Sequence, residues 1–171
     1  MRRKLIRYSL LTFMMLVLTA CPYQSKVPIT KPQEKVDKDL LGEWISTQEL
    51  EIENPKYFSI NKFDKTKYEI IEMSYSSYDT AYSSKTYFMH TSTIKDRLFL
   101  NVEDASQGGG YYLYYLEKGS NEFTLFEVSD NIDEQFASSE DLRKFVEKHM
   151  NLSFFYSKDE LKYIRKSKTK K

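Results

Sequence analysis

The fold is decided by one alternating stretch, Arg97-Leu98-Phe99-Leu100-Asn101-Val102-Glu103. Its residues Leu98, Leu100 and Val102 recur at every second position, which is the period of a half-buried β-strand. The turn-forming pair Lys95-Asp96 joins this stretch to a similar run at residues 85–91. Because a short polar turn separates two alternating runs, the sequence predicts an antiparallel hairpin here.

Similar runs continue on both sides of this hairpin, with short turns between them. They lie at residues 40–46, 56–62, 68–73, 111–117, 123–128 and 161–165. Tyrosine (14) and phenylalanine (11) are abundant, while glycine (5) and proline (4) are scarce, which favours strands. The sequence therefore predicts a mainly β protein (α+β by content). Its antiparallel meander has about eight strands and forms a small barrel or a strongly curved sheet.

One segment has helical periodicity instead. Ser138-Ser139-Glu140-Asp141 combines an N-cap residue with acidic residues in the first turn. Apolar or aromatic residues then follow at i, i+3, i+4, i+7 and i+8: Leu142, Phe145, Val146, His149 and Met150. The pattern predicts one helix, capped by Asn151, before the last strand.

The N-terminus resembles a bacterial lipoprotein signal. A basic start is followed by an apolar run of 11 residues, Leu10 to Ala20. That run is too short to span a bilayer, which needs about 20 apolar residues. Leu18-Thr19-Ala20-Cys21 then resembles a lipobox. The resemblance implies signal cleavage between Ala20 and Cys21, attachment of lipid to Cys21, and a place on the exported side of the outer or cytoplasmic membrane.

These signals divide the chain into four parts. Residues 1–20 are predicted to be a signal peptide, 21–39 a lipidated tether, 40–166 a single β-rich domain and 167–171 a basic tail. Loss of Arg2, Arg3, Lys4 and Arg7 with the signal would change the formal net charge from +1 to −3. A nearly neutral chain of this kind is not expected to bind nucleic acid. Since Cys21 is the only cysteine, no disulfide supports the fold.

Gly42-Glu43-Trp44 resembles the Gly-x-Trp opening of lipocalin-like barrels. In that family the tryptophan closes the bottom of the barrel and stacks against an arginine from a late strand. The resemblance implies that Trp44 pairs with Arg165 and that the barrel holds a small apolar ligand. The chain departs from the family in lacking its second loop motif and in placing the helix before the last strand. The alternative is that Trp44 is simply the largest core residue.

No motif indicates an enzyme, a cofactor or a metal site. His90 and His149 lack zinc-ligand spacing, and the triple glycine at 108–110 lacks the Lys-Ser/Thr of a phosphate loop. The acidic stretch 119–142 could be a calcium site, a docking face or an ordinary acidic lead into the helix.

The tyrosine- and serine-rich stretch 74–84 is typical of a binding loop or of an ordinary polar connection. As a binding loop it would use Tyr75, Tyr78 and Tyr82. Two functions follow from the sequence. The first is a membrane-anchored, non-catalytic binding module for a small apolar ligand. The second is an envelope protein-interaction lipoprotein (an inhibitor, immunity or assembly accessory factor) that uses the Tyr/Ser stretch or the acidic face.

Overall fold

The computed structural model describes residues 23–106, 109–129 and 132–166 of the 171-residue chain. The cleavage and lipidation predictions at Ala20 and Cys21, and the basic tail 167–171, lie outside these residues. Within the described ranges, no helix is long and apolar enough to cross a membrane.

The regular elements are nine strands and one α-helix in the described residues. The strands are β1 (Gln24–Ser25), β2 (Gly42–Ser46), β3 (Tyr57–Lys62), β4 (Tyr68–Ser76), β5 (Ala81–Ile94), β6 (Arg97–Asp104), β7 (Tyr111–Lys118), β8 (Glu122–Val128) and β9 (Tyr156–Arg165). The helix α1 is Ser139–His149. Short 3₁₀ turns lie at Lys38–Leu40, Thr47–Glu49 and Ser153–Phe155.

Strands β2 to β9 close into an antiparallel barrel of eight strands. Each strand pairs with its neighbour in sequence, and β2 pairs with β9 through Trp44 opposite Arg165. The ninth strand, β1, adds to the start of β7, with Gln24 opposite Tyr112. The predicted mainly β meander, with one helix before the last strand, is confirmed. Of the two predicted forms the closed barrel is observed, which leaves few strand edges unpaired.

The alternation of β6 places its side chains as predicted. Leu98, Leu100 and Val102 belong to the cluster inside the barrel, while Phe99 is fully buried on the outer face. Phe99 is covered there by α1, whose Leu142, Val146 and Met150 are buried. The helix begins as predicted, with the Ser138 hydroxyl accepting from the Asp141 N–H at 3.2 Å. It ends at His149 with Met150 as the C-cap, one residue before the predicted cap Asn151.

Residues 23–39, whose polar composition predicts a tether, lie against the barrel, and we call them the strap. Tyr23 and Ile29 of the strap are buried in the cluster between the sheet and α1. The Ile29 N–H donates to Asn101 Oδ1 at 2.7 Å, and the Thr30 hydroxyl lies 2.6 Å from the hydroxyl of Ser92. The prediction that residues 23–39 hold the domain at a distance is therefore wrong, because buried apolar and polar contacts attach them to the outer face of the sheet and, from Val36 onward, to the closing turns at one end of the barrel.

Candidate ligand-binding cavity

The barrel encloses a cavity of about 350 Å³. Ligand sites in proteins are typically mostly apolar cavities of about 300–1,000 Å³. The lining is mainly apolar and aromatic, and it includes Trp44, Phe58, Ile60, Ile70, Met89, Leu100, Val102, Leu116, Phe123, Leu125 and Leu161. The cavity therefore has the size and lining of a small-molecule site.

One end of the barrel, which we call the closed end, is sealed by Trp44 and the 3₁₀ turn that ends at Leu40. The Trp44 indole N–H donates to the Leu40 carbonyl at 2.8 Å, and the indole ring lies 4.6 Å from the ring of Phe123. Both Leu40 and Trp44 are buried and line the cavity. This end is where β3 meets β4, β5 meets β6 and β7 meets β8.

The structure brings Trp44 and Arg165 together, as the sequence predicts. The Arg165 guanidinium lies 4.4 Å from the centre of the Trp44 ring, within cation–π range. It also donates to the carbonyls of Leu41 at 2.7 Å and Asp39 at 2.8 Å. Gly42 has a φ of +123°, and a Cβ there would lie 2.6 Å from an Arg165 nitrogen. Glycine at 42 thus leaves room for the guanidinium beneath the barrel.

At the opposite end, which we call the open end, charged side chains line the mouth of the cavity. Lys56 pairs with Glu72 at 3.0 Å, and Lys85 pairs with Asp104 at 2.7 Å. Since Glu72 lies opposite Lys85 in the sheet, the charges alternate along the mouth from Lys56, just before β3, to Asp104 at the end of β6. The hydrogen bond from Lys85 lowers the pKa of Asp104 to about 2, and the same bond raises the pKa of Lys85.

Four tyrosines add polar atoms to the lining: Tyr87, Tyr112, Tyr114 and Tyr163. Burial raises the pKa of Tyr163 to about 12, and it also raises the pKa of Tyr114 and Tyr87. The phenols of Tyr87, Tyr114 and Tyr163 are therefore neutral at physiological pH and can donate or accept hydrogen bonds. The polar groups at the mouth were not predicted from the sequence. Glu72 and Lys85 alternate in phase with the inward-facing residues Ile70 and Tyr87. A charged residue at such an inward position is a sequence signal that could have located the mouth of the cavity.

The Tyr/Ser stretch is a β-hairpin that projects at the open end, and its prediction as a loop is wrong for two of its tyrosines. Tyr75 lies on β4 opposite Tyr82 on β5, with ring centres 5.3 Å apart, because the ladder continues to Ser76 and Ala81. The Tyr82 hydroxyl donates to the Pro55 carbonyl at 3.2 Å. Tyr78 alone lies in the turn, and it is 95% exposed. None of the three lines the cavity.

The histidines take separate structural positions. His90 is buried beneath the strap, where its Nε2 lies 2.7 Å from the Thr30 carbonyl, and burial lowers its pKa. His149 stacks on Phe145 at 4.4 Å. In the described ranges, no three His, Cys, Asp or Glu side chains converge as a metal site would require.

Acidic residues of the 119–142 stretch form ion pairs in the described part of the chain. Glu122 pairs with Lys162 at 3.0 Å, and Glu140 pairs with Lys144 at 2.6 Å.

The barrel cavity is the best-formed candidate site among the described residues. Comparisons with protein-family models, curated proteins and solved structures find no match to this chain.

Proposed function

We propose that this protein is a membrane-anchored bacterial lipoprotein whose barrel binds a small apolar or amphipathic ligand, in the manner of lipocalin-like proteins. The observation that carries the proposal is the cavity of about 350 Å³, sealed at Trp44 and bordered by polar groups at the open end. Burying an apolar ligand there would gain about 25 cal/mol for each Å² removed from water. The phenols inside and the charges at the mouth would orient its polar end.

The proposal is one of binding without catalysis. General acid–base chemistry needs a side chain free to exchange protons near pH 7. At the mouth, Lys85 and Asp104 have pKa values that move apart and away from neutrality. Lys56 and Glu72 form a second ion pair there, at 3.0 Å. These groups suit ligand orientation better than proton transfer.

Ligand binding can be tested by native mass spectrometry of the mature chain in which Ser replaces Cys21. We expect a bound small molecule, or uptake of an added amphiphile, in the unchanged barrel. Val102→Trp should fill part of the cavity and weaken uptake. Glu103→Trp is the matched control, because the neighbouring residue is on the outer face and does not line the cavity. An empty barrel that takes up no amphiphile, or equal uptake by both variants, would contradict the proposal.

The anchor is proposed at Cys21, on the lipobox resemblance. Several acyl chains hold a protein firmly on a membrane, whereas one chain holds it only marginally. The test compares the full chain with its Cys21→Ser variant in cells fed labelled palmitate. We expect label and membrane fractionation in the first protein and neither in the second. A membrane-bound Cys21→Ser protein, with no label in either form, would contradict the anchor.

The projecting hairpin supports a second candidate, interaction with an envelope protein. Tyr78 is nearly fully exposed at its tip, and exposed tyrosines are common in protein-binding surfaces. In a pull-down from envelope extract, the Tyr78→Ala variant should then capture less of the partner than the unchanged protein. Phe63→Ala serves as the control, since Phe63 is an exposed aromatic residue at the closed end. Equal capture by both variants, or none by either protein, counts against this candidate.

A further inference from the structure

The lysines at the mouth of the cavity are committed to partners within the protein. The Asp104 side chain is 1% exposed, and its Oδ2 faces the Lys85 ammonium at 2.7 Å. The other oxygen, Oδ1, accepts from the Ser106 N–H at 2.9 Å and from the Ser106 hydroxyl at 2.7 Å. If Lys85 turned away from Asp104 towards an anionic ligand, this buried carboxylate would lose its opposite charge and keep only the hydrogen bonds from Ser106, which is unfavourable. Lys56 is held similarly by the half-buried Glu72. The charge of each lysine is therefore already balanced by a carboxylate beside it.

Carboxylates dominate the loops around the open end. The described residues of the connections β2–β3, β4–β5 and β8–α1 carry the acids Glu49, Glu51, Glu53, Asp79, Asp133 and Glu134, with Lys56 as the only base among them. At the closed end, the β3–β4 turn holds Lys65 and Lys67 against Asp64. Charge of one sign around a low-dielectric opening attracts small ions of the other sign.

The aromatic rings at the mouth already face ammonium groups. The Lys56 ammonium lies 5.5 Å from the centre of the Phe58 ring, and the Lys85 ammonium lies 5.0 Å from that of Tyr87. Both rings line the cavity, together with Tyr112 and Tyr114. Aromatic faces stabilise cations, and such contacts strengthen where water is excluded. Tyr112 and Tyr114 add further aromatic rings to the lining, at which the ammonium group of a ligand would be stabilised.

We infer that the ligand of this cavity is a cationic amphiphile, with its apolar body inside the barrel and its ammonium group at the open end. The inference rests on the proposed function, because it presumes that the cavity binds a ligand. It narrows the ligand class by charge. An anionic amphiphile would meet acidic loops and lysines whose charge is already balanced by Glu72 and Asp104.

The test uses three probes with one tail and different heads: decyltrimethylammonium, decyl sulfate and decyl maltoside, each below its micelle concentration. The reporter is Trp44, which is the only tryptophan in the chain and lines the cavity. Titration calorimetry gives an independent affinity. We expect the ammonium probe to bind roughly tenfold more tightly than the sulfate at low salt. The difference should shrink as salt is added, because the loop charges are exposed.

Two double variants with equal charge changes locate the effect. Glu51→Gln with Glu53→Gln removes acids at the open end, whereas Asp64→Asn with Asp96→Asn removes acids at the closed end. The first change should weaken the ammonium probe about two- to threefold, and the second should leave it unchanged.

Equal effects of the two double variants would overturn the inference. So would sulfate or maltoside binding as tightly as the ammonium probe, although the proposed function would then stand. Failure of all three probes to bind would contradict the proposed function and the inference together.

Discussion

Replacing Ile29 by alanine tests whether the strap belongs to the folded body. Ile29 has no exposed surface, and it packs among Phe99, Leu142 and Val146. The change removes three carbon atoms, worth about 0.8 kcal/mol each in transfer free energy. Its neighbours are fixed by the barrel and the helix, so incomplete collapse adds a cavity term. We expect the free energy of unfolding to fall by about 3 kcal/mol, within the range for such truncations.

The assay is urea denaturation of the mature chain in which Ser replaces Cys21, followed by far-ultraviolet circular dichroism. Ile52→Ala is the matched control, because it makes the same chemical change at a side chain that is 50% exposed. Its effect should stay within about 0.5 kcal/mol. The Ile29 N–H that donates to Asn101 belongs to the backbone, so this hydrogen bond is retained in the alanine variant. If both variants lost less than about 0.5 kcal/mol, the strap would be a tether after all.

Three further predictions concern the closed end and two titrating groups. Gly42→Ala should lower the free energy of unfolding, measured by thermal unfolding, by about 2 kcal/mol. The φ of +123° strains any L residue, and the added Cβ would crowd Arg165. The loss should be smaller in an Arg165→Ala background, where that crowding is gone. Burial lowers the pKa of His90 below 6.5, so its contribution to the free energy of unfolding is complete above pH 6.5 and is lost as pH falls through the lowered pKa. Urea melts from pH 7.5 to 5 should show this loss, and His90→Gln should remove that part of the slope. Asp104, with a pKa of about 2, adds stability that is present above pH 3.8 and is lost towards pH 2. Lys85→Met should raise that pKa in a carboxyl NMR titration, and an unmoved pKa would contradict the ion pair.

The parts of the fold that the sequence predicts are those governed by local periodicity. Alternation in β6 places Leu98, Leu100 and Val102 inside the barrel, because strand side chains point to opposite faces in turn. The Ser138 cap predicts the helix start for an equally local reason, since its hydroxyl satisfies a backbone N–H within the same turn. Closure of the barrel depends on the β2–β9 pairing, which joins the two ends of the domain. Alternation alone could not distinguish it from an open, curved sheet.

The strap escaped prediction because most of its attachment is polar. Asn101 is fully buried and uses its amide to hold the Ile29 N–H, the His90 carbonyl and the Ser92 hydroxyl. From the sequence alone, polar residues such as Asn101, Ser92 and His90 are expected at the solvent-exposed surface. Similarly, Tyr75 and Tyr82 lie in a serine-rich stretch, and only their cross-strand pairing shows that they form a ladder. Buried polar networks and long-range pairings thus account for the two main errors.

The strap also changes what the proposed anchor would do. Tyr23 is buried and its hydroxyl donates to the Glu134 carbonyl at 3.1 Å, so if Cys21 carries a lipid as proposed, only the residues before Tyr23 would separate that lipid from the barrel. Two residues span at most about 7 Å, whereas the predicted tether of 21–39 could have reached far beyond the bilayer surface. Gln24 pairs with Tyr112, which lines the cavity near the open end. A lipid on Cys21 would therefore keep the barrel against the membrane, with the cavity mouth on the anchored side.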